Sequence, residues 1–483
     1  MSKTGLTTIP FTLADDSLAQ FDSFVNGKPV TAQSGKRFDV VDPGSGHIWT
    51  SCPASTDVDV NGAVESSYEA FKIYSKWTPR QRAECLSRWH HLIVAARDDL
   101  AKILVYETGK PLAEAYGEID YATTFTWWFI GEAERIQGST ITSAVAGRRG
   151  FTIKQPVGVA AALVPWNFPI ALTLRKASAA LAAGCTMIVK PSPETPVSAI
   201  SLAHLAIRAG FPPGALNVLT TSLENTPVVA ESLCLHPLVK KVTFTGSTRV
   251  GKIISGLCAR NLKKCTLELG GNCPFIVFND ANLDHALGQL TALKWRHAGQ
   301  ACVSANRVYI QRGIYDKFIA DLIQKTSILK IGHGISEGTT LGPVTTERGL
   351  DKAEELVQDA LTKGAKMVLG TGQRLKSSAG SESPTLTGYF MEPTILVDIT
   401  DDMLMSREEI FAPVVGVSVF DTEDEIITRA NNTSMGLTSY VFSKNVDRLW
   451  RMFEKLEAGM VGLVCRSQLL SFGYSKTSLT RLN

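Results

Sequence analysis

The sequence has no large excess of charge of either sign. Its 483 residues include 49 Lys and Arg against 46 Asp and Glu, which gives a net charge of +3 at pH 7. So small an excess argues against nucleic acid or an anionic membrane as the main partner. With 44% hydrophobic and 20% charged residues, the composition is typical of a globular protein of two or three domains. We therefore expect a small-molecule partner.

Long hydrophobic runs are also absent. The longest uncharged stretch, 155–174, is interrupted by Pro156, Pro165 and Pro169, and we interpret it as a buried strand followed by a loop. The first 21 residues contain no arginine and no apolar segment of the kind that a signal peptide needs. We expect a cytoplasmic protein without a membrane partner.

Cysteine patterns that would indicate a disulfide framework or a metal site are missing as well. The nine cysteines are an odd number and form no closely spaced pairs of the kind found in zinc sites. We expect reduced thiols and no metal. No internal repeat, low-complexity segment or linker rich in Pro, Gly and Ser divides the chain.

What the sequence does contain is an alternation of short apolar runs with helical patterns. Apolar residues at three-to-four spacing predict helices over 57–136. Strands then alternate with alanine-rich helices up to about residue 265, and a second such series follows residue 272, with a helix over 282–297. This order predicts two α/β domains with parallel sheets, in which ligands bind at the carboxyl ends of the strands.

Two glycine-containing turns are candidates for ligand binding. The apolar run VKKVTFTGS ends at Gly246 and Ser247, and Gly251 follows at the start of a helix, where backbone N–H groups would suit a pyrophosphate. The alternative is a tightly packed strand-to-helix turn. Glu268 precedes the glycines of LELGG, which allow a ligand to approach closely; the alternative is a solvated turn residue.

Cys302 and Asn167 are the other candidates. Cys302 lies in HAGQACVSANR between a helix and a strand, where a thiol can project into a cleft, although most cysteines are small buried residues. Asn167 lies between the prolines of PWNFP, and its alternative role is that of a turn asparagine.

Six motifs follow one another along the chain: PWNFP, KPSPETP, FTGSTRVG, LELGG, GQAC and EEIFAPV. Through them the sequence resembles the aldehyde dehydrogenase superfamily from about residue 22 to residue 462, and it is most similar to the succinate-semialdehyde dehydrogenase branch. The resemblance implies an α/β fold with a Rossmann-type cofactor domain, an α/β catalytic domain and a small, here incomplete, oligomerisation element. The implied bounds are 1–135 and 156–266 for the NAD(P)-binding domain, 136–155 for an oligomerisation hairpin and 267–462 for the catalytic domain.

The resemblance also implies the chemistry. The thiolate of Cys302 attacks the aldehyde, while Asn167 and the backbone N–H of Cys302 stabilise the oxyanion. After hydride transfer, Glu268 activates the water that hydrolyses the thioester. The implied cofactor is NAD or NADP, bound by Trp166, Lys190, Gly246, Ser247, Gly251, Glu409 and Phe411.

Two arginines indicate the substrate class. Arg175 and Arg296 match the positions that bind the distal carboxylate in the semialdehyde branch, and their alternative role is in packing or at the surface. The implied reaction is oxidation of succinate semialdehyde to succinate, as in GABA catabolism. Three alternatives remain: another short semialdehyde such as glutarate semialdehyde, a dinucleotide-binding product that is weakly active or inactive, and a cysteine hydrolase.

Several positions depart from the family pattern. Pro193 stands where NAD-preferring relatives often have a glutamate that would repel a 2′-phosphate, so we expect NADP to be accepted. Ser304 replaces the second cysteine found in several relatives, which excludes a disulfide between positions 302 and 304, and Ala412 replaces a glycine. The family's final loop and strand are not recognisable in 463–483, so we expect a divergent, truncated end, an impaired homo-oligomer and weak or no activity.

Overall fold

The computed structural model describes residues 9–375 and 387–464. The chain divides into two compact units. Unit 1 contains the residues up to 42, together with 47–108 and 112–268, and unit 2 contains 43–46, 109–111 and the residues from 269 onward. The chain therefore passes from one unit to the other immediately after Glu268. The assignment of cofactor binding, catalysis and oligomerisation to particular bounds remains a prediction.

Unit 1 begins with short strands and a long helical region, as the apolar periodicity over 57–136 predicts. Its helices are α1 (Asp57–Tyr74), α2 (Pro79–Ala95), α3 (Arg97–Thr108), α4 (Leu112–Glu134), α5 (Pro169–Ala182), α6 (Pro196–Arg208), α7 (Thr226–Leu235) and α8 (Thr248–Ala259). The helices α1 and α2 each start with a capping box, at Thr56 and Thr78. In each box the threonine and the side chain three residues later accept hydrogen bonds from backbone N–H groups that have no partner within the helix. The helix α4 packs against α2 and α5.

The strands of unit 1 form one large sheet and two hairpins. They are β1 (Ser23–Val25), β2 (Lys28–Val30), β3 (Arg37–Val41), β4 (Ile48–Pro53), β5 (Ser139–Thr142), β6 (Arg149–Thr152), β7 (Val159–Leu163), β8 (Thr186–Lys190), β9 (Leu216–Val218), β10 (Val239–Thr245) and β11 (Lys264–Glu268). The sheet has the order β11-β10-β7-β8-β9-β1-β2 and is parallel from β11 to β9. Every residue of β7 and β8 is buried, as expected for parallel strands covered on both faces.

Unit 2 repeats the alternation of strands and helices. Its strands are β12 (Cys273–Val277), β13 (Ala305–Gln311), β14 (Lys366–Leu369), β15 (Thr394–Val397), β16 (Val414–Phe420), β17 (Thr438–Phe442) and β18 (Met460–Val464). Its helices are α9 (Leu283–Lys294), α10 (Tyr315–Ser327), α11 (Glu347–Thr362), α12 (Leu404–Arg407), α13 (Glu423–Asn431) and α14 (Val446–Lys455). The sheet order is β14-β15-β16-β13-β12-β17-β18, parallel from β15 to β18.

Apolar side chains cover both faces of the unit 2 sheet. Phe275, Val277 and Val308 pack with α9 and α10 on one face, and Ile276 and Tyr309 pack with α13 and α14 on the other. This alternation along each strand follows from the two-residue period of a strand. The sheet therefore holds the loops at its edge on a rigid base.

Three expectations from the sequence concern the end of the chain, membranes and metal ions. Of the segment 463–483, Leu463 and Val464 lie in β18, and the remainder lies outside the described residues. In the described part of the chain, no helix has the length and apolar character needed to cross a membrane. The same residues contain no cluster of three or more His, Cys, Asp or Glu side chains that could bind a metal ion.

Candidate active site

Unit 1 collects its candidate residues at one edge of its sheet. Asn167 follows β7, Lys190 ends β8, Gly246 follows β10 and Glu268 ends β11. These four strands are neighbours and run parallel, so their carboxyl ends lie at the same edge. The chain order reverses between β7 and β10, and such switch points are where open α/β sheets bind ligands.

Asn167 lies in the turn from β7 to α5. Its side chain is buried, while Trp166 before it is half-buried. Pro169 is the first residue of α5, a position that proline favours because its missing N–H would have no partner there. The prolines of PWNFP therefore fix where the helix begins, and with it the position of Asn167.

Lys190 is buried at the end of β8. Burial lowers the pKa of its ammonium group to about 8, while the nearby carboxylate of Glu194 raises it. In the loop that follows, the hydroxyl of Ser192 donates a hydrogen bond to the Glu194 carboxylate, and Pro193 lies between these two residues. Position 193 itself carries no charge.

The turn after β10 leads directly into α8. The backbone N–H of Gly246 donates to the carbonyl of Glu268 at 3.0 Å, which ties the ends of β10 and β11 together. A Cβ at position 246 would come within 2.5 Å of the Phe244 ring, so a side chain here would require that ring to shift. Ser247 is exposed and caps α8, and Gly251 is buried in the first turns of that helix. An exposed helix start of this kind fits a pyrophosphate.

Lys176 is a further charged residue near the carboxyl end of β10, and the sequence did not single it out. From α5 its ammonium group donates to Thr245 Oγ1 at 2.8 Å and to Thr243 Oγ1 at 3.0 Å. Burial lowers its pKa to about 8, and the negative charge of Glu268 raises it. The sequence could have drawn attention to Lys176, because it lies inside the alanine-rich pattern of α5 and a charge on a buried helix face needs polar partners.

In unit 2 the candidate residues lie at the opposite ends of the strands from those in unit 1. Cys302 precedes β13, Gly271 precedes β12, and Glu409 and Phe411 precede β16. These strands are parallel neighbours, so the candidates gather at their amino ends. The candidates of unit 1 thus lie at the carboxyl ends of the strands, where we expect ligands to bind, whereas those of unit 2 lie in the loops that enter the strands.

The approach to Cys302 is a turn of unusual backbone conformation. We expected a helix to His297, but α9 ends at Lys294, and His297, Ala298 and Gly299 have φ values of 49°, 51° and 76°. The left-handed region costs about 1–2 kcal/mol for a residue with a Cβ, so the surrounding structure must enforce it. A side chain at Gly299 would also meet the carbonyl of Ala412 at 2.3 Å.

Three buried or half-buried side chains hold the loop around Cys302. The amide of Gln300 donates to the His297 carbonyl at 2.9 Å and accepts from the N–H of Thr345 at 2.9 Å. The Tyr440 hydroxyl donates to the Val303 carbonyl at 2.8 Å, and the Cys273 thiol donates to the Cys302 carbonyl at 3.3 Å. Cys302 itself is half-buried. The thiol is thus presented by a loop whose backbone is fixed on both sides.

Glu409 has a defined orientation. Its Oε1 accepts a hydrogen bond from the N–H of Gly271 at 2.9 Å. Burial raises its pKa to about 7, while that N–H and the charge of Lys294 lower it. Lys294 is fully buried, donates to Asn306 Oδ1 at 3.1 Å, and has a pKa lowered by burial to about 7. The sequence analysis missed Lys294, whose position at the end of an apolar helix gave no distinct signal.

The two candidate arginines belong to different units. Arg175, on α5, donates to the Tyr121 hydroxyl at 2.8 Å and lies over the Phe125 ring at 4.7 Å. Arg296 is exposed at the start of the left-handed turn, six residues before Cys302. The contacts of Arg175 hold its guanidinium in place without neutralising its charge, so it remains able to attract a carboxylate.

Comparison with known proteins agrees with these features. The profile of the Aldehyde dehydrogenase family matches residues 30–478. The Escherichia coli (strain K12) succinate-semialdehyde dehydrogenase [NADP(+)] GabD is 43% identical over 469 residues, which cover 96% of this chain and 95% of that protein. The 3-sulfolactaldehyde dehydrogenase of Pseudomonas putida is 42% identical and the glutarate-semialdehyde dehydrogenase of Pseudomonas aeruginosa is 43% identical, each over 96% of this chain and 94% of that protein.

A solved structure extends the comparison to the fold. The crystal structure of succinate-semialdehyde dehydrogenase from Burkholderia pseudomallei superposes with a TM-score of 0.90 at 40% sequence identity, covering 95% of this chain and 92% of that one. Similarity at this level extends through both units.

Proposed function

The chain belongs to the aldehyde dehydrogenase family and is an NAD(P)-dependent aldehyde dehydrogenase, and on this premise we propose that it oxidises succinate semialdehyde to succinate. The observation that carries the substrate assignment is the exposed residue Arg296 at the start of the turn that leads to Cys302. A cation close along the chain to the nucleophile favours an aldehyde that ends in a carboxylate. Relatives that act on such aldehydes support this proposal.

Cys302 is the proposed nucleophile. Its sulfur adds to the aldehyde carbon, and the resulting oxyanion is stabilised by the side-chain amide of Asn167 and the backbone N–H of Cys302. The bonds from Gln300, Tyr440 and Cys273 keep the loop from rearranging as charge develops on the substrate oxygen. Burial of Asn167 supports this role, because a donor shielded from water stabilises an oxyanion more strongly.

Glu268 is the proposed base. It removes a proton from the water that attacks the thioester on Cys302, and the products are the carboxylic acid and the free thiol. Its place at the exposed end of β11 supports this assignment, since water can reach it.

The residues fit a dinucleotide. The proposed contacts are Lys190 with the adenosine ribose, Trp166 in the wall of the site, and the N-terminal turn of α8 with the pyrophosphate through Gly246, Ser247 and Gly251. Glu409 is proposed to bind the nicotinamide ribose, and Phe411 to lie beside the nicotinamide ring. When bound, the dinucleotide supplies the acceptor for the hydride that leaves the aldehyde carbon. The buried Lys190 and the bonded Glu409 carboxylate support these roles, because their orientations are fixed.

The test measures reduced-cofactor formation with three aldehydes: succinate semialdehyde, glutarate semialdehyde and butanal. We expect kcat/KM to be highest for succinate semialdehyde and lowest for butanal, which has no carboxylate. Arg296→Ala should raise KM for succinate semialdehyde about tenfold or more and leave KM for butanal nearly unchanged, since a lost ion pair of this kind is worth about 1.5–3 kcal/mol.

A matched arginine controls for changes in surface charge. Arg312, in the same unit, pairs with Asp421 at the surface, and Arg312→Ala should leave all three KM values unchanged. Equal kcat/KM for butanal and succinate semialdehyde would contradict the proposed substrate class. A preference for glutarate semialdehyde would instead favour the alternative substrate, which is longer by one methylene group.

A further inference from the structure

The helices α5 and α6 begin in the same unusual way. Each has proline as its first residue, and each N-cap residue, Phe168 or Thr195, makes no side-chain capping bond. Their backbone angles are nearly identical, with φ −138° and ψ 66° at Phe168 and φ −139° and ψ 59° at Thr195. The first free N–H groups of both helices must therefore find partners elsewhere, because buried donors without partners destabilise the fold.

Two buried glutamates from the preceding helical region provide these partners. Glu118 on α4 accepts from the N–H groups of Ile170 at 3.0 Å and Ala171 at 3.1 Å, both through Oε1. On α3, Glu107 caps α6 in the same way by accepting from the first N–H groups after Pro196, with its Oε2 3.0 Å from one of them. Both carboxyl groups are almost completely shielded from water. A carboxylate here also interacts favourably with the helix dipole.

The helix that Glu118 caps starts two residues after Asn167. Pro169 has no N–H, so the bonds to Ile170 and Ala171 are the first that can fix the start of α5. Because the cap comes from α4, it fixes this turn against the helical region of unit 1 and not only against its own helix. A shift in the first turn of α5 would move Asn167 with it.

We propose that Glu118 is a positioning residue that sets the location of the Asn167 amide for oxyanion stabilisation. The inference rests on the proposed function, since it assigns to Glu118 an effect that acts through Asn167. Glu118 does not touch the substrate in this scheme. Its contribution is geometric, because an oxyanion donor displaced by about 1 Å loses much of its effect on the rate.

The test is a double-mutant cycle measured on kcat. Asn167→Ala should lower kcat about a hundredfold, the effect of losing one oxyanion donor. Glu118→Met removes the acceptor at similar volume and should lower kcat about tenfold, with the dinucleotide KM within about threefold of the wild-type value. In the double variant kcat should equal that of Asn167→Ala alone, because the donor that Glu118 positions is already absent.

Conservative variants separate oxygen position from charge. Glu118→Gln keeps an oxygen at the place of Oε1 and should retain kcat within about twofold, whereas Glu118→Asp withdraws that oxygen by one methylene group and should lower kcat as Glu118→Met does. If Glu118→Met does not fold, Glu118→Asp takes its place in the cycle. High activity of Glu118→Asp would overturn the proposal.

Glu107 is the matched control. Both of its carboxyl oxygens accept from backbone N–H groups, and burial raises the pKa of this carboxyl group to about 8. Glu107→Met removes the cap of α6 and should reduce thermal stability as Glu118→Met does. In the double variant of Glu107→Met and Asn167→Ala, however, the loss of kcat should equal the product of the two single losses. Thermal unfolding of every variant reports the structural part of each change.

The outcomes distinguish failure of the positioning role of Glu118 from failure of the oxyanion role of Asn167. If the double variant of Glu118→Met and Asn167→Ala loses about a thousandfold in kcat, the two effects are independent and Glu118 has only a structural role. The inference then fails, while the proposed function stands. If Glu107→Met, like Glu118→Met, causes no further loss of kcat when it is added to Asn167→Ala, the coupling is not specific to Glu118 and the inference also fails. If Asn167→Ala leaves kcat unchanged, the proposed oxyanion role itself is wrong, and the positioning role with it.

Discussion

Position 193 lies in the loop after β8, next to which we propose that the adenosine ribose of the dinucleotide binds. Pro193 is uncharged, and the neighbouring carboxylate of Glu194 accepts a hydrogen bond from Ser192. The buried ammonium group of Lys190 is the charge at the end of the strand. This loop therefore places no carboxylate at position 193 that would oppose the 2′-phosphate of NADP.

A glutamate at this position should change the cofactor preference. We expect Pro193→Glu to lower the ratio of kcat/KM for NADP to that for NAD by about tenfold or more, because like charges then face each other. Pro193→Gln is the control for the loss of proline and should leave the ratio nearly unchanged. The ratio is measured by initial rates with each cofactor at a fixed aldehyde concentration. A ratio that Pro193→Glu does not alter would mean that the ribose does not approach this loop.

Among the elements, the loops that enter β12 and β13 depend on each other. A Cβ at Gly271 would come within 2.2 Å of the Cys302 carbonyl and 3.1 Å of Cys273 Sγ. The N–H of the same glycine donates to Glu409. Close approach of the two loops therefore requires glycine, because a side chain at position 271 would overlap the backbone at Cys302.

Gly271→Ala should displace the loop that presents Cys302. We expect kcat to fall about a hundredfold, because a shift of about 1 Å at the reacting atom costs about that much. Dinucleotide binding through unit 1, followed by fluorescence of the bound reduced cofactor, should change little. Gly288→Ala is the control, since α9 has open space there and alanine favours the helix. Normal kcat in Gly271→Ala would show that the loops tolerate the added methyl group.

For the whole molecule, the hairpin of β5 and β6 is one of the exposed apolar features of unit 1. The two strands pair only with each other within the described residues, and Ile141, Phe151 and Ile153 are 53%, 78% and 69% exposed. An isolated two-stranded hairpin is marginally stable in water, and exposed apolar patches mark association surfaces. The hairpin falls within the bounds 136–155 that we predict for oligomerisation.

Association of two or more chains through this hairpin can be tested by measuring the molar mass in solution. We expect Phe151→Asp to lower the molar mass measured by light scattering, because a buried carboxylate without a partner strongly opposes assembly. Ile328→Asp changes a similarly exposed apolar residue in unit 2 and should leave the mass unchanged. An oligomer of full mass in Phe151→Asp, or a wild-type chain that is already monomeric, would contradict assembly through the hairpin.

The sequence by itself determined the order of strands and helices, the α/β class and the identity of most candidate residues. Periodicity and glycine-proline punctuation are local properties, and they predicted the helical region over 57–136 and the strands β7 to β13, β16 and β17, but not β14, β15 or β18. Local patterns failed at His297–Gly299, because left-handed backbone depends on neighbours such as Ala412 that are distant in the chain.

Only the tertiary structure decided the supporting contacts. Lys176 with Thr245, Gly271 with Glu409, and Glu118 with Ile170 are separated by 69, 138 and 52 residues. A hydrogen bond between distant residues leaves no periodic signal in the sequence, since each partner is compatible with many local patterns. The sequence therefore indicated which groups are candidates for the chemistry, whereas the folded chain determined which buried groups hold them in place, because hydrogen bonding depends on three-dimensional proximity.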